Sequence, residues 1–186
     1  MTAWKPFAYE NAATHERTVY DLAHLHPLRM IFEQAAKQDK PARTYTVNVI
    51  FGLHCFTRGL TKNETPDAAL LYADARERRL FDFQRYELSK SLPDIVRSLP
   101  NRKCYHTGMS NFFSIEQIDN QGNIVEYEIY FQATRSSVKG ILDLFVQSAY
   151  VRDDNYASSR PHKKSIAFFV ILFNTLNNRS IRPAPN

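Results

Sequence analysis

The first half of the chain contains one segment in which apolar and polar residues alternate without interruption. The apolar positions of this segment are Tyr45, Val47, Val49, Phe51, Leu53 and Cys55. Side chains of a β-strand point alternately to its two faces, so the pattern predicts a half-buried strand over 45–56. His54 lies on the less apolar face of that strand, close to its end.

Closely linked strands are predicted to fill the second half of the chain. The candidate segments are Lys103–Thr107, Phe112–Asp119, Ile124–Thr134, Ile141–Arg152 and Ser165–Thr175. The residues Asn-Gln-Gly-Asn at 120–123 are typical of a hairpin turn. Alternation within 124–134 gives that strand one wet face, which includes Glu128. Segments 141–151 and 166–173 are apolar on both faces, which predicts central strands with Phe145 and Phe169 in the core.

The strand over 141–152 changes character along its length, because apolar residues give way to hydroxylic and charged ones. Period two predicts that every second residue of this strand shares one face. These residues are Leu142, Leu144, Val146, Ser148 and Tyr150. The polar end would therefore carry Ser148, Tyr150 and Arg152 to the rim of a sheet, where binding and catalytic groups often lie.

One long helix signal occurs in the middle of the chain. Asp82 is a suitable N-cap for a helix over Phe83–Ser98, because its carboxylate can accept a hydrogen bond from the first turn. Pro93 lies inside that span and lacks a backbone N–H. We therefore predict a kink or break near Leu92.

Two shorter segments carry weaker signals. Thr65 and Pro66 have the residue order of a helix start, which predicts a short helix over Ala68–Ala75. Leu28–Lys37 has helix-forming residues but also alternates, so its sequence is compatible with a helix or a strand. In the second case, the polar residues of 37–41 form the turn of a hairpin.

These elements predict an α+β fold built on a mainly antiparallel β-sheet of five to seven strands with one or two packed helices. The 186 residues are predicted to form a single domain. Its parts are an aromatic N-terminal arm (1–27), an α+β core (28–175) and a C-terminal tail (176–186). We expect the arm to be loosely attached.

The composition and the charge of the chain bear on its partners and on its cellular compartment. The formal net charge is +5 and the pI is about 9.2, which permits an anionic partner such as RNA, although solubility alone also explains the charge. Cys55 and Cys104 form neither a disulfide framework nor a metal motif. The N-terminus lacks an apolar signal core, and the longest apolar run, Ile166–Phe173, is far shorter than the roughly 20 residues of a membrane span. We expect a cytoplasmic protein with reduced thiols and no membrane association.

Four residues near predicted strand ends form the candidate catalytic group. They are His54, His106, Ser148 and Tyr150. Metal-free RNA cleavage needs a base for the 2′-hydroxyl proton and an acid for the leaving oxygen, and imidazole suits both roles because it titrates near neutral pH. The alternative interpretation is that the histidines are ordinary strand residues and that Tyr150 is a core residue with a hydrated hydroxyl.

Six basic residues are candidate ligands of RNA phosphates. They are Arg58, Lys103, Arg152, Arg160, Lys163 and Lys164. Guanidinium and ammonium groups bind phosphate oxygens through charge-assisted hydrogen bonds. The last three belong to the basic segment Ser158–Lys164, for which an ordinary solvated loop is the alternative.

A metal site is considered at Asp21, His24 and His26. Two histidines separated by one residue lie on the same face of a strand and suit zinc if a third ligand is present. The same residues also fit a simple polar loop before Pro27, and no nearby cysteine or glutamate cluster completes a ligand set. We therefore predict neither a metal nor another cofactor.

The order of elements over roughly residues 82–175 supports a resemblance. A helix ending in LPDIVRSLP precedes closely linked strands and then LFVQSAYVRD. This order resembles the helix-plus-sheet plan of the barnase, EndoU, colicin and RelE group of small ribonucleases, which implies metal-independent RNA cleavage by side chains dispersed on a sheet. The whole chain, with YDLAHLHP, HCFTR, RYELSKSLP and SAYVRD, is also similar to bacterial stationary-phase adaptation proteins, a label that implies no mechanism.

The leading hypothesis is a cytoplasmic, bacterial, RNA-directed protein, in its most specific form a metal-independent ribonuclease of toxin type. His54 and His106 would be the acid and base, Ser148 and Tyr150 would orient the phosphate, and basic side chains would bind it. The alternative is a non-enzymatic interaction module in stress adaptation or phage–host conflict, whose arm and sheet face bind an antitoxin or host factor. The sequence does not indicate an oligomeric state.

Overall fold

The computed structural model describes residues 3–38, 40–107, 112–120, 123–151 and 165–181. Strands and helices both occur in these residues, which confirms the predicted α+β class. The strands are β1 (Phe7–Glu10), β2 (Arg17–Tyr20), β3 (Leu28–Gln34), β4 (Arg43–His54), β5 (Thr57–Arg58), β6 (Leu71–Ala73), β7 (Arg78–Phe81), β8 (Lys103–His106), β9 (Phe112–Asn120), β10 (Asn123–Arg135), β11 (Ile141–Val151) and β12 (Ser165–Ala167). The α-helices are α1 (Phe83–Ser89), α2 (Leu92–Ser98) and α3 (Phe168–Leu176).

Seven of the strands form one large sheet in the order β12-β8-β9-β10-β11-β4-β3. Every neighbouring pair is antiparallel except β11 and β4, which run parallel. A parallel pair requires a long crossover connection, and here much of the chain lies between the two strands. Asn120 pairs with Asn123, as the predicted hairpin requires, while residues 121 and 122 lie outside the described residues. The prediction of a mainly antiparallel sheet is confirmed.

The two faces of the large sheet differ in what covers them. We call the side that contacts α3 the helix face and the opposite side the cleft face. The helix face carries Tyr45, Val47, Val49, Phe131, Leu142 and Leu144, and the cleft face carries Asn48, Ile50, His54, Tyr130, Phe145 and Ser148. The ring of Phe168 in α3 lies 5.0 Å from that of Phe32 and 6.4 Å from that of Phe131, centroid to centroid. The main core therefore lies between α3 and the helix face.

A β-bulge changes the direction of the side chains near the end of β11. Residues 130 and 131 of β10 are adjacent, but their partners on β11 are Ser148 and Val146. Gln147 is therefore an extra residue that reverses the alternation beyond it. Ser148 and Tyr150 project from the cleft face, whereas Val146 projects from the helix face. The prediction that these three residues share one face is wrong for this reason.

Gly52 of β4 lies against this bulge. A Cβ atom on Gly52 would stand 2.8 Å from the carbonyl oxygen of Gln147 and 3.2 Å from that of Val146. Both neighbours are backbone atoms and cannot rotate away as a side chain would. Only glycine therefore lets β4 approach the bulge this closely.

The apolar run after residue 165 forms a helix for most of its length. Strand β12 covers only three residues, and α3 begins at Phe168, so the predicted strand Ser165–Thr175 is wrong. Phe168, Ile171 and Leu172 are buried at helical spacing, whereas Val170 is 45% exposed. A run that is apolar at every position fits a strand or a helix, and here the helix covers the helix face of the sheet. The predicted central position is also wrong, because β12 is an edge strand.

The predicted break in the middle helix is confirmed. The side chain of Asp82 accepts a hydrogen bond from the backbone N–H of Arg85 at 2.9 Å and caps α1. Helix α1 ends at Ser89, and α2 begins at Leu92 with Pro93 in its first turn. Within the described residues, no helix combines the length and the apolar character needed to cross a lipid bilayer.

The structure also shows what is formed by the two shorter segments with weaker signals. The ambiguous segment after residue 27 is strand β3, and a bridge between Lys37 and Lys40 closes the following turn. The predicted helix Ala68–Ala75 is wrong, because a 3-10 turn over 68–70 leads directly into β6. Its cap is Asp67 rather than Thr65, and the Asp67 side chain accepts a hydrogen bond from the backbone N–H two residues later at 2.9 Å.

The N-terminal arm packs against the rest of the molecule. Strands β1 and β2 form a hairpin, and β5, β7 and β6 form a separate three-stranded sheet. The ring of Phe7 stacks on that of Phe81 in β7 with 4.0 Å between centroids. Trp4 donates a hydrogen bond from Nε1 to the carbonyl oxygen of Phe51 at 3.1 Å. These contacts contradict the expectation of a loosely attached arm.

Candidate functional site

A cleft of about 1350 Å³ lies over the cleft face, beside the end of β4 and the bulge of β11. The sheet forms one wall, and the segments 3–8 and 68–77 form the others. The polar lining residues are Lys5, His54, Tyr72, Asp74, Arg76, Glu77, Gln147 and Ser148. Concave sites where several elements meet are common places for ligand binding, so this cleft is the candidate functional site.

His54 and Glu77 form a hydrogen-bonded pair in the cleft. Nε2 of His54 lies 2.7 Å from Oε1 of Glu77, and the two side chains are 39% and 42% exposed. Nη1 of Arg79 contacts the other carboxylate oxygen at 3.4 Å. A carboxylate bonded to one ring nitrogen orients the imidazole and leaves the second nitrogen, Nδ1, available for a substrate.

A tight turn before β7 brings Glu77 to His54. The Asp74 carboxylate accepts hydrogen bonds from the backbone N–H groups of Arg76 and Glu77 at 2.7 and 2.9 Å. These two bonds lower the pKa of Asp74. Partial burial raises the pKa of Glu77, but its contacts with His54 and Arg79 outweigh burial and hold that pKa below the usual value. The carboxylate that binds His54 is therefore ionised near neutral pH.

Ser148 lies next to His54 on the cleft face. The two residues are register partners on the parallel strands β11 and β4, which lie about 4.8 Å apart. On the other side of β11, Tyr130 of β10 is the register partner of Ser148. An imidazole, a hydroxyl and a phenol thus form a row across three adjacent strands.

Tyr150 belongs to a neighbouring cluster with Tyr130 and Glu128. The Tyr130 hydroxyl donates a hydrogen bond to Oε2 of Glu128 at 2.8 Å, and Glu128 is fully buried. The two tyrosine rings are stacked with centroids 5.7 Å apart. Burial, followed by the hydrogen bonds with Glu128 and Tyr150, raises the pKa of Tyr130. Its phenol therefore stays protonated near neutral pH and acts as a hydrogen-bond donor rather than as a base.

Arg85 of α1 connects this cluster with the end of β4. Its Nη1 donates hydrogen bonds to the carbonyl oxygens of His54 at 3.2 Å and Thr57 at 2.9 Å. Its Cζ atom lies 5.3 Å from the centroid of the Tyr150 ring. One side chain from α1 thus contacts both strand ends, the one with His54 and the one with Tyr150.

His106 lies in a different part of the molecule. It pairs with Phe112, which in turn pairs with Phe131, so His106 projects from the helix face. Its Nε2 lies 3.2 Å from the carbonyl oxygen of Ile181, and it lines a separate cavity of about 500 Å³. Strands β9, β10 and β11 lie between β8 and β4, which puts roughly 19 Å between the two strands. The expectation that His54 and His106 lie in one site is wrong.

The predicted phosphate ligands are also dispersed. Arg58 contacts both carboxylate oxygens of Glu64, at 2.8 and 2.6 Å, in a bidentate ion pair. Lys103 is on β8, far from the cleft. The other predicted ligands, Arg152, Arg160, Lys163 and Lys164, lie outside the described residues. Among the described residues that line the cleft, two are cations, Lys5 and Arg76, and neither was predicted to bind phosphate.

His24 and His26 do not share a ligand position. Nε2 of His24 lies 2.8 Å from the hydroxyl of Ser89, whereas Nε2 of His26 lies 3.0 Å from the carbonyl oxygen of Trp4. Asp21 accepts a hydrogen bond from a backbone N–H in the adjacent turn. In the part of the chain that the structure describes, no three or more histidine, cysteine, aspartate or glutamate residues cluster in a way that could hold a metal ion.

Three residues of this site were missed by the sequence reasoning. Glu77 lies in a turn with no periodic pattern, so nothing local distinguishes it. Glu128 follows the alternation of a wet strand face, although its side chain is fully buried. Tyr130 offered the one usable signal, since it is the aromatic residue among the polar positions of that face.

The sequence is similar to the sequences of a known protein family. The model of the YjaZ family matches residues 11–176 of the chain. Protein YjaZ of Escherichia coli (strain K12) is 29% identical over 185 residues, which cover 98% of this chain and 96% of that protein. No solved structure matches the chain at a significant level.

Proposed function

Since this chain belongs to the YjaZ family, whose name states no reaction, we propose a function from the cleft itself: RNA-directed, metal-independent endoribonuclease activity in the cytoplasm. The observation that carries the proposal is the His54–Glu77 pair at 2.7 Å beside Ser148, at the edge of an open cleft. The positive net charge favours an anionic substrate. Cys55 and Cys104 are both buried and are not joined in a disulfide, which agrees with a reducing compartment.

In this proposal His54 alone replaces the predicted pair of histidines. Its Nδ1 takes the proton of the substrate 2′-hydroxyl, and the resulting oxygen attacks the adjacent phosphorus. The bond from phosphorus to the 5′ oxygen breaks, and the products are a 2′,3′-cyclic phosphate and a 5′-hydroxyl end. The leaving oxygen takes its proton from water, and the hydroxide so formed takes the proton from the His54 imidazolium. Ionised Glu77 stabilises the imidazolium that forms. Ser148, Lys5 and Arg76 supply donors for the phosphate oxygens.

The test is cleavage of total RNA by the purified protein, with and without a chelator. We expect activity that persists in chelator and falls by roughly 10²–10⁴-fold in His54→Ala, the usual contribution of a general base. Glu77→Gln should lose less, because the amide still orients the ring without the charge. His106→Ala is the matched control and should retain full activity. An active His54→Ala protein, prepared in parallel, would reject the assignment and point to a contaminating nuclease.

One observation favours a second candidate function, a non-enzymatic protein–protein interaction module in stress adaptation or phage–host conflict. Among the described lining residues of the cleft, the cations Lys5 and Arg76 are balanced by the carboxylates of Asp74 and Glu77. A nucleic-acid site normally carries a clear excess of cations. Wild-type protein that neither cleaves RNA nor binds it with a salt-dependent affinity would favour this second function.

A further inference from the structure

Strand β3 is an outer edge of the large sheet, and within the described residues it pairs only with β4. Its seven residues pair without a bulge and include neither lysine nor proline. Natural edge strands are usually protected from pairing by a bulge, by proline, by charged side chains, above all lysine, or by being very short. The opposite edge strand, β12, has only three residues. β3 is therefore the longer of these two edges and pairs regularly, and its charged residues, Arg29 and Glu33, have opposite signs.

The side chains of β3 on the cleft face have a self-complementary pattern. Arg29, Ile31 and Glu33 alternate along that face, and all three are exposed. Ile31 is 65% exposed, the highest value among the exposed large apolar residues of the part of the chain that the structure describes. A positive charge and a negative charge lie at equal distances on either side of it. If a second copy of the strand runs in the opposite direction, its Glu33 comes opposite Arg29 and its Arg29 comes opposite Glu33.

We propose that β3 pairs antiparallel with β3 of a second copy of this chain, about a twofold axis that passes through Ile31. In this register Arg29 faces Glu33 of the other copy twice, and Ile31 faces its own counterpart. On the helix face, Met30 faces Phe32 of the other copy. Sliding the strands by two residues would set Ile31 against Arg29 or Glu33 and lose both ion pairs. The contact is isologous and therefore closes as a dimer.

The structure also holds Arg29 in place for this contact. Its Nε donates a hydrogen bond to the side chain of Asn48 at 3.1 Å, and Asn48 donates one to Asp143 at 2.8 Å. These residues lie on β3, β4 and β11, so the guanidinium is fixed to the sheet before any partner arrives. A side chain that is already ordered loses less conformational entropy on association.

The first test uses charge reversal in the full chain, with sedimentation over a range of protein concentrations. Wild type should be a reversible dimer. Arg29→Glu and Glu33→Arg should each weaken dimerisation by at least roughly tenfold, because like charges then face each other twice. An equimolar mixture of the two variants should recover the dimer, because each charge again meets its opposite. Lys139→Glu, in the exposed turn between β10 and β11, is the matched control and should remain dimeric.

Wild type that is monomeric at every concentration, or a dimer unaffected by both reversals, would overturn the proposal.

A second experiment tests the register of the two strands. Ile31→Cys places two thiols across the twofold axis, and a short bis-maleimide should link them into a covalent dimer, while Cys55 and Cys104 are buried. Val138→Cys, at an exposed turn position, should not be linked efficiently. Equal linking of both variants would contradict the register, and circular dichroism would verify that each variant is folded.

Discussion

Glu64 shows how one side chain sets a local pH dependence. Its carboxylate accepts hydrogen bonds from two guanidinium nitrogens of Arg58, at 2.8 and 2.6 Å. The backbone N–H and the hydroxyl of Thr61 each add a bond of 2.9 Å. These hydrogen bonds, with that of Arg58 as the largest effect, lower the pKa of Glu64 from 4.5 to about 2.

Because the pKa of Glu64 is lower in the folded protein, ionised Glu64 stabilises the fold above pH 4.5, and this contribution is lost as the pH falls toward 2. We therefore expect Glu64→Gln to lower the urea midpoint at neutral pH and to flatten its decline between those two values. Glu87→Gln, which removes an exposed carboxylate paired with Lys90, is the matched control. Identical pH profiles for wild type and Glu64→Gln would show that the pair contributes nothing.

For individual residues, the sequence predicted which polar side chains lie near strand ends. It did not show which strand ends lie next to each other in the sheet. His54 and Ser148 are neighbours because β4 and β11 pair in parallel, a contact between distant parts of the chain. His106 is separated from them by the order of the strands and by the face it occupies. Both properties are set by tertiary pairing, and nothing within a few residues of each histidine encodes them.

The bulge in β11 is the local element that determines which groups enter the cleft. It turns Ser148 toward the cleft face, and it depends on the absence of a side chain at Gly52. We expect Gly52→Ala to destabilise the protein by roughly 1–3 kcal/mol, the range for overpacked sites, because the added methyl would meet backbone oxygens. Gly59→Ala is the control, since its added Cβ would lie 3.8 Å from the Arg79 side chain. Equal unfolding midpoints for the two variants would contradict this role of Gly52.

Helix α3 provides a second prediction about an element. Ile171 is fully buried and Val170 is 45% exposed, as expected if this segment is a helix lying on the sheet. Ile171→Ala should therefore cost roughly 2–5 kcal/mol of unfolding free energy, and Val170→Ala should change it by less than about 0.5 kcal/mol. If this segment were a central strand, Ile171 and Val170 would point to its opposite faces, and both side chains would be buried. Similar losses in the two variants, measured by urea denaturation, would argue for the strand.

The bulge of β11 and helix α3 are two parts of the fold that the sequence did not predict. Period two correctly identified β4, β10 and β11, and the Asp82 cap and Pro93 break were read from local chemistry alone. The run after residue 165 has no polar position, so it carries no periodicity from which to choose a helix. The bulge has no sequence signature either, because Gln147 is an ordinary strand residue. Both are decided by packing against the sheet.

The whole molecule is held together by contacts among the arm, the small sheet and the large sheet. Phe7 of the arm stacks on Phe81 of the small sheet, and the Trp4 ring lies 5.3 Å from that of Phe56, just beyond β4. Leu22 and Leu25, also in the arm, are fully buried. The walls of the cleft are therefore parts of one apolar core. The position of Glu77 opposite His54 depends on that core as a whole.

One consequence is that the arm and the sheet should unfold together. Trp4 is the only tryptophan in the chain, so its fluorescence reports on the arm, whereas far-ultraviolet circular dichroism is dominated by the sheets. We expect the two denaturation curves to have the same midpoint, as a two-state transition requires. Phe7→Ala should lower both midpoints together, by an amount equivalent to roughly 3–5 kcal/mol, and Val19→Ala, at a 60% exposed position, should leave them unchanged. A Trp4 transition at clearly lower denaturant than the loss of sheet would mean that the arm detaches first, and the cleft walls would then not be a single cooperative unit.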